Sequence, residues 1–184
     1  GAHEAVSDVA AIGVGPGSVD VSGQSGLASA NTETYTAYHT SIQQAVNRAE
    51  TGSTVEVLPG TYTESLDVRK DLTLAGSGEG ETVIEAGSFN DYGIKTASNV
   101  TLRDFTLGGP TVDAAYAYGI KAQFASLPDG EFARTDVTIE DVTVRNSDKT
   151  EIDLNGVGSA DLVDVTADGA DTGGAGIALS DTRD

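Results

Sequence analysis

Hydrophobic and polar residues change rhythm twice along this 184-residue chain. Residues 1–38 carry Gly, Ala, Ser and Val with one apolar run, VAAIGVG at 9–15, and read as an extended arm or an irregular first layer. Next, Ile42, Ala45, Val46 and Ala49 fall on one face at helical spacing, and Thr40 stands three residues before Gln43, the spacing of a capping box. Gly52 follows as a stop signal. A single helix over 41–50 is predicted. From residue 54 the period becomes two. TVEVLPGTYTESLDV predicts a strand, a turn at Pro59-Gly60 and a strand through Val68. DLTLAGSGEGETVIEAG repeats the idea, with Leu72, Leu74, Val83 and Ile84 apolar around a glycine-rich bend.

The strand segments then copy one another. NVTLRDFTL at 99–107, DVTIEDVTV at 136–144 and ADLVDVTAD at 160–168 are versions of one unit. YGIK at 92–95 recurs at 118–121 and more loosely as AGIAL at 175–179. The equivalent residues Asp104, Asp141 and Asp164 lie 37 and 23 residues apart. The shorter step is one bare coil; the longer one leaves room for a loop, FASLPDGEFART at 124–135. Repeats of about 20–30 residues built from short strands indicate a solenoid whose coils stack on one another. An antiparallel sandwich also has many short strands, but gives no reason for them to repeat one sequence. The expected fold class is therefore all-β, a parallel β-helix with one N-terminal capping helix. Residues 1–38 form its arm or first layer and 39–184 the solenoid.

Charge narrows the partners. Ten Lys and Arg stand against 29 Asp and Glu, a net charge of −19. Such a chain repels nucleic acid phosphates and anionic lipid headgroups, so neither is an expected partner. The 38% of apolar residues, set in clean strand-like runs, argues for a folded domain rather than a solvated tail. With four lysines and 23 glycines, the surface reads as a carboxylate shell. Molar salt screens such a shell to about 3 Å, and the pattern resembles halophilic archaeal proteins. The chain has no cysteine, so disulfides, thiolate catalysis and cysteine-ligated zinc are excluded. It also has no methionine, so it is expected to be a processed form or a piece of a longer chain. No stretch approaches the ~20 apolar residues of a membrane span.

Residues 40–86, with TSIQQAVNRAE, PGTYTE, LTLAGSG and TVIEA in order, resemble the opening of pectin-lyase-like β-helix proteins, especially the NosD-type and carbohydrate-binding branch. The resemblance implies a right-handed parallel β-helix over roughly residues 40–180, with the helix capping its first coil, in a secreted or cell-surface protein. It does not specify activity, because the superfamily holds pectate lyases, pectin methylesterases, viral tailspikes, adhesins and non-catalytic surface proteins.

Candidate chemistry is sparse. Asp104, Asp141 and Asp164, with Gly76 in the matching slot of an earlier coil, are either stacked carboxylates for calcium or acid–base work, or a turn ladder at bends whose left-handed backbone Asp tolerates. The turn ladder is preferred. DGADTGGAG at 168–176 makes Asp168 and Asp171 weak calcium candidates, calcium being the one cofactor considered. Tyr92, Tyr116, Tyr118, Phe124 and Phe132 are candidates for a platform that stacks on sugar rings, or else fill the inserted loop's own small core. Asn99 begins the one N-glycosylation acceptor sequence, Asn-Val-Thr. His3 and His39 have no partners at metal-ligand spacing. Neither the basic residue and calcium-binding aspartates of pectate lyases nor the pectin methylesterase signatures match here residue by residue. The expected function is a non-catalytic surface or extracellular module for carbohydrate recognition or self-assembly. A polysaccharide lyase or hydrolase, and a viral spike or fibre component, are the alternatives.

The ends of a solenoid need covers. The helix, with Ile42, Val46 and Ala49 inward, is the expected lid at the amino end. At the carboxyl end AGIALSDTRD reads as a strand with Ile177 and Leu179 in the core and nothing above it. Further coils or another subunit are expected there, and the apolar run of the arm is expected to add a strand to a neighbour's edge.

Overall fold

The period-two runs become strands that climb in coils, because each buries one apolar face only when a copy stacks on it. The structure, a computed structural model, describes residues 11–14, 38–39, 41–87, 91–109, 117–129, 131–169 and 175–180. Strands β1 (Ala11–Val14) and β2 (Tyr38–His39) precede helix α1 (Ile42–Arg48). The first coil holds β3 (Thr54–Val57), β4 (Gly60–Thr63) and β5 (Leu66–Val68). The second holds β6 (Leu72–Ala75), β7 (Thr82–Glu85) and β8 (Tyr92–Thr96). The third consists of β9 (Val100–Gly108) and β10 (Tyr118–Gln123). A hairpin, β11 (Ala125–Ser126) and β12 (Phe132–Ala133), is inserted before β13 (Asp136–Arg145) and β14 (Thr150–Asn155) of the fourth coil. β15 (Ser159–Asp168) and β16 (Ala175–Ser180) make the fifth.

One sheet runs β15-β13-β9-β6-β3-β1-β2, with β4 and β7 joined beside it; the other runs β16-β14-β10-β8-β5. Among the described residues every pairing in both is parallel, and only the β11–β12 hairpin is antiparallel. Equivalent residues therefore stack. Val55, Leu74, Leu102, Ile139 and Leu162 form one column, and Leu66, Ile94, Ile120, Ile152 and Ile177 another. The first four members of each are fully buried, each stabilising the fold by about 1.5–3 kcal/mol. On the fifth coil the burial fails, with Ile177 46% and Leu179 72% exposed.

The bends between strand segments fall on Asp104, Asp141 and Asp164, whose φ angles are 63°, 50° and 50°. Each left-handed residue breaks the two-residue alternation, so that Leu102 and Phe105, or Ile139 and Val142, three residues apart, both point inward. Gly76 lies next to Asp104 in register but is not among the residues with positive φ. Its role differs from the one expected of the slot: a side chain there would collide with the Asp104 carbonyl oxygen, so the requirement is close approach of two coils.

The amino end corrects the expected bounds and caps of the helix. Helix α1 spans 7 residues rather than ten, its N-cap is Ser41, and its C-cap is Ala49, so Gly52 (φ 85°) serves the turn into β3 instead of stopping the helix. Its capping carboxylate comes from another coil. Glu64 accepts bonds from Ile42 N (2.8 Å), Gln43 N (3.0 Å) and the Ser41 hydroxyl (2.8 Å), an anion at the positive helix end. Ile42, Ala45, Val46 and Ala49 are buried beneath it. Strand β1, from the apolar run of the arm, pairs with β2 and β3 of its own chain.

Candidate functional site

The outward face of the β5-β8-β10-β14 sheet collects side chains that are far apart in the chain. Parallel register places Tyr92 opposite Tyr118 and Lys95 opposite Lys121, because the two YGIK copies sit on adjacent strands. The lysine column continues to Asp67 on one side and Asp153 on the other, giving the order Asp67, Lys95, Lys121, Asp153. Lys149, from the turn before β14, donates to the Tyr118 hydroxyl at 3.1 Å.

The tyrosines support cations. Lys121 Nζ lies 3.9 Å and Lys149 Nζ 5.2 Å from the Tyr118 ring centroid, and Lys95 Nζ 5.6 Å from that of Tyr92. Tyr118 is only 7% exposed, so its ring is a seat for lysines and offers no free face to a sugar. Burial pushes the Tyr92 hydroxyl pKa up, with Asp67 adding to the shift. Burial also raises the Asp153 carboxyl pKa, while Lys121 (3.8 Å) and Lys149 hold it down. At the other end of the column Asp67 is taken by Arg69 at 2.6 Å.

Beside this face the β11–β12 hairpin folds over the coils and encloses a groove of about 610 Å³. Arg69, Lys95, Gln123, Phe124 and Arg134 contribute to its lining. Phe124 and Phe132 pack edge to face, with centroids 4.7 Å apart, within the hairpin itself. The five candidate aromatics thus do not form one platform. Tyr92 and Tyr118 share a face, the two phenylalanines share the hairpin, and Tyr116 lies outside the described residues.

Asn99 is a link in a ladder that runs from coil to coil. Its backbone N and its Nδ2 donate to the two Asp71 carboxylate oxygens (3.0 Å each), and its Oδ1 accepts from Asp136 N at 2.8 Å. Ser159 then donates to Asp136 at 2.8 Å. The signal was present in the repeats, since Asp71, Asn99 and Asp136 each immediately precede a Leu-Thr or Val-Thr pair. Both ends of the Asn99 amide are committed to this ladder. Asp168 closes β15, Asp171 lies outside the described residues, and those residues hold no cluster of three or more acidic or His groups able to bind a metal. A further carboxylate, Glu151, is fully buried and accepts from Ser147 N (2.9 Å) and Ser147 Oγ (2.5 Å). The sequence reading passed over the lysines, Asp153 and Glu151. The lysine closing each YGIK copy was the one available signal.

No family model matches this chain, and neither does any curated protein. Among solved structures it is similar to a mutant pectin methylesterase in complex with a hexasaccharide, at TM-score 0.55 and 12% identity, over 84% of this chain and 48% of that one. A second pectin methylesterase–hexasaccharide complex gives TM-score 0.46 and 13% identity, over 94% and 66%. The chain is a right-handed parallel β-helix. At such identities the likeness establishes the fold alone, and the chain spans about half the length of the first enzyme. Among the described residues no helix is long and apolar enough to cross a membrane.

Proposed function

We propose that this β-helix is a non-catalytic, extracellular or cell-surface module that binds carbohydrate along the outward face of β8, β10 and β14 and in the adjoining groove. The observation that carries this is the concave strip itself. Lys95 and Lys121 stand side by side on its strands, and Lys95, Gln123, Arg69 just after β5, and Arg134 just after the hairpin line the groove. A groove of about 610 Å³ suits a short run of sugar units held by a few convergent polar groups. The hexasaccharide bound by the first pectin methylesterase adds support by analogy of fold. A catalytic role has no matched constellation of residues behind it.

Titration calorimetry with oligosaccharides of pectin tests the reading, with ultraviolet absorbance and ester release followed in the same samples. Binding without turnover is the expected result. Turnover would make the protein an enzyme, and absence of binding by any oligosaccharide would end the proposal. Assembly is a second component, favoured by the exposed Leu162, Ile177 and Leu179 on β15 and β16. Light scattering in molar salt should then report species larger than one chain; a monomer at all concentrations would remove that component.

A further inference from the structure

The coil-to-coil interface repeats up the solenoid, and the fifth coil presents it once more. Among the described residues no strand pairs with the outer edge of β15 or of β16. Leu162 and Val165 continue the buried columns of Ile139 and Val142, and Ile177 and Leu179 those of Ile152 and Leu154. Edges of this kind are normally blunted by Lys, Pro or a very short strand. Here β15 runs for 10 residues and β16 for 6, and neither contains Lys, Arg or Pro.

This edge also complements itself. Asp164 breaks the two-residue alternation, so the inward residues Ala160, Leu162, Val165 and Ala167 lie symmetrically about the bend. Lay the β15 of a second copy antiparallel along this one, with Leu162 opposite the other Val165, and every inward residue meets an inward one. The carboxylates then fall against neutral residues: Asp161 meets Thr166, Asp164 meets Val163, and Asp168 meets Ser159. Like charges directly opposite, which would destabilise the pairing, are avoided. In β16 the same operation sets Ile177 against Leu179, with Ala178 on the axis. One two-fold axis, through the bend of β15 and the middle of β16, serves both strands, as a contact between identical surfaces requires.

We propose that this end of the solenoid binds the same end of a second copy, giving a closed two-fold dimer with one continuous core. This rests on the assembly component of the proposed function and adds to it the partner, the symmetry and the register. Two like ends that meet face to face pair antiparallel, which is slightly more stable per residue than the parallel pairing within each chain. Because both copies use the same surface, association stops at two. Each copy carries a net charge of −19, so repulsion opposes the dimer at low salt. Molar salt, which screens charge to about 3 Å, releases it.

Sedimentation velocity of the full chain, over a range of concentrations in low and in molar salt, should show a monomer–dimer equilibrium that salt shifts toward the dimer. The chain has no cysteine, so a single introduced one reports the register. Ala178→Cys lies on the axis, where paired Cβ atoms stand about 4.5–5.5 Å apart, and should cross-link to its own copy on mild oxidation. Glu140→Cys, one coil inward on β13, should not. Val163→Lys and Leu179→Lys, at exposed positions of the edge, should each weaken the dimer on the order of tenfold or more. Both should keep the far-ultraviolet circular dichroism of the parent, which separates lost association from misfolding. Species larger than a dimer, a dimer that fails to cross-link in Ala178→Cys, or one that both lysine variants leave intact would overturn the inference while leaving assembly standing. A monomer at every salt and concentration would overturn both.

Discussion

Asp141 offers the cleanest test of how the coils are bent. It sits in the middle of β13 with φ 50°, and its side chain is exposed, so replacing it removes no core contact. Its backbone shape nevertheless lets Ile139 and Val142 both enter the core. Left-handed angles cost an ordinary L-residue about 1–2 kcal/mol, and a β-branched side chain fits them worst. Asn tolerates them as Asp does. Asp141→Asn should therefore stay within about 0.5 kcal/mol of the parent, and Asp141→Val should lose about 1–3 kcal/mol. Both variants remove the same carboxylate from a chain of net charge −19, so their difference is free of the global charge effect. For a chain of this length each kcal/mol is worth about 2–4 °C, which separates the two by about 2–12 °C in Tm. Asp141→Gly should behave like Asn, because relief of the backbone offsets the added freedom of the unfolded chain. Thermal and urea unfolding followed by far-ultraviolet circular dichroism would measure this. If Val and Asn variants melted together, the left-handed bend would not be what the aspartate is there to provide.

Burial raises the Glu151 pKa, so the protonated form favours folding. That contribution is complete below about pH 4 and is lost as pH rises through the raised folded value. Relative to the parent, Glu151→Gln should flatten this segment of the stability–pH curve, and Glu151→Ala should cost about 1–3 kcal/mol by removing the carboxylate that accepts from Ser147 N and Oγ. Parallel curves for parent and Gln variant as pH rises above about 4 would refute the first point, and an unchanged Ala variant the second. Asn99→Asp sets a carboxylate against Asp71 and removes the Nδ2 donor, so it should be less stable than Asn99→Ala at low salt, with the gap closing as salt screens it. A gap that ignored salt would mean the ladder is not electrostatic. Overall, Tm should rise between about 0.1 and about 2 M potassium chloride, as screening relieves repulsion among 29 carboxylates; a flat profile would remove the salt-adaptation reading.

Much of the architecture was legible in the residues themselves, because a solenoid writes its coil into the chain again and again. Copies of one strand sequence must stack in parallel to bury their apolar faces, and the repeated Asp marks where each copy bends. Helix α1 was legible from its apolar face, but its true cap was not, since Glu64 reaches Ser41 from a different coil. The site was legible only in part, through Tyr92, Tyr118 and Phe124. Folding turned the meaning of Tyr118 round: Lys121 and Lys149 lie over its buried ring. Lys149 arrives there from 31 residues along the chain. Local periodicity sets which way a side chain points within its strand. Which side chain it then meets depends on the lengths of the turns between coils, and those contacts exist only once the coils are stacked.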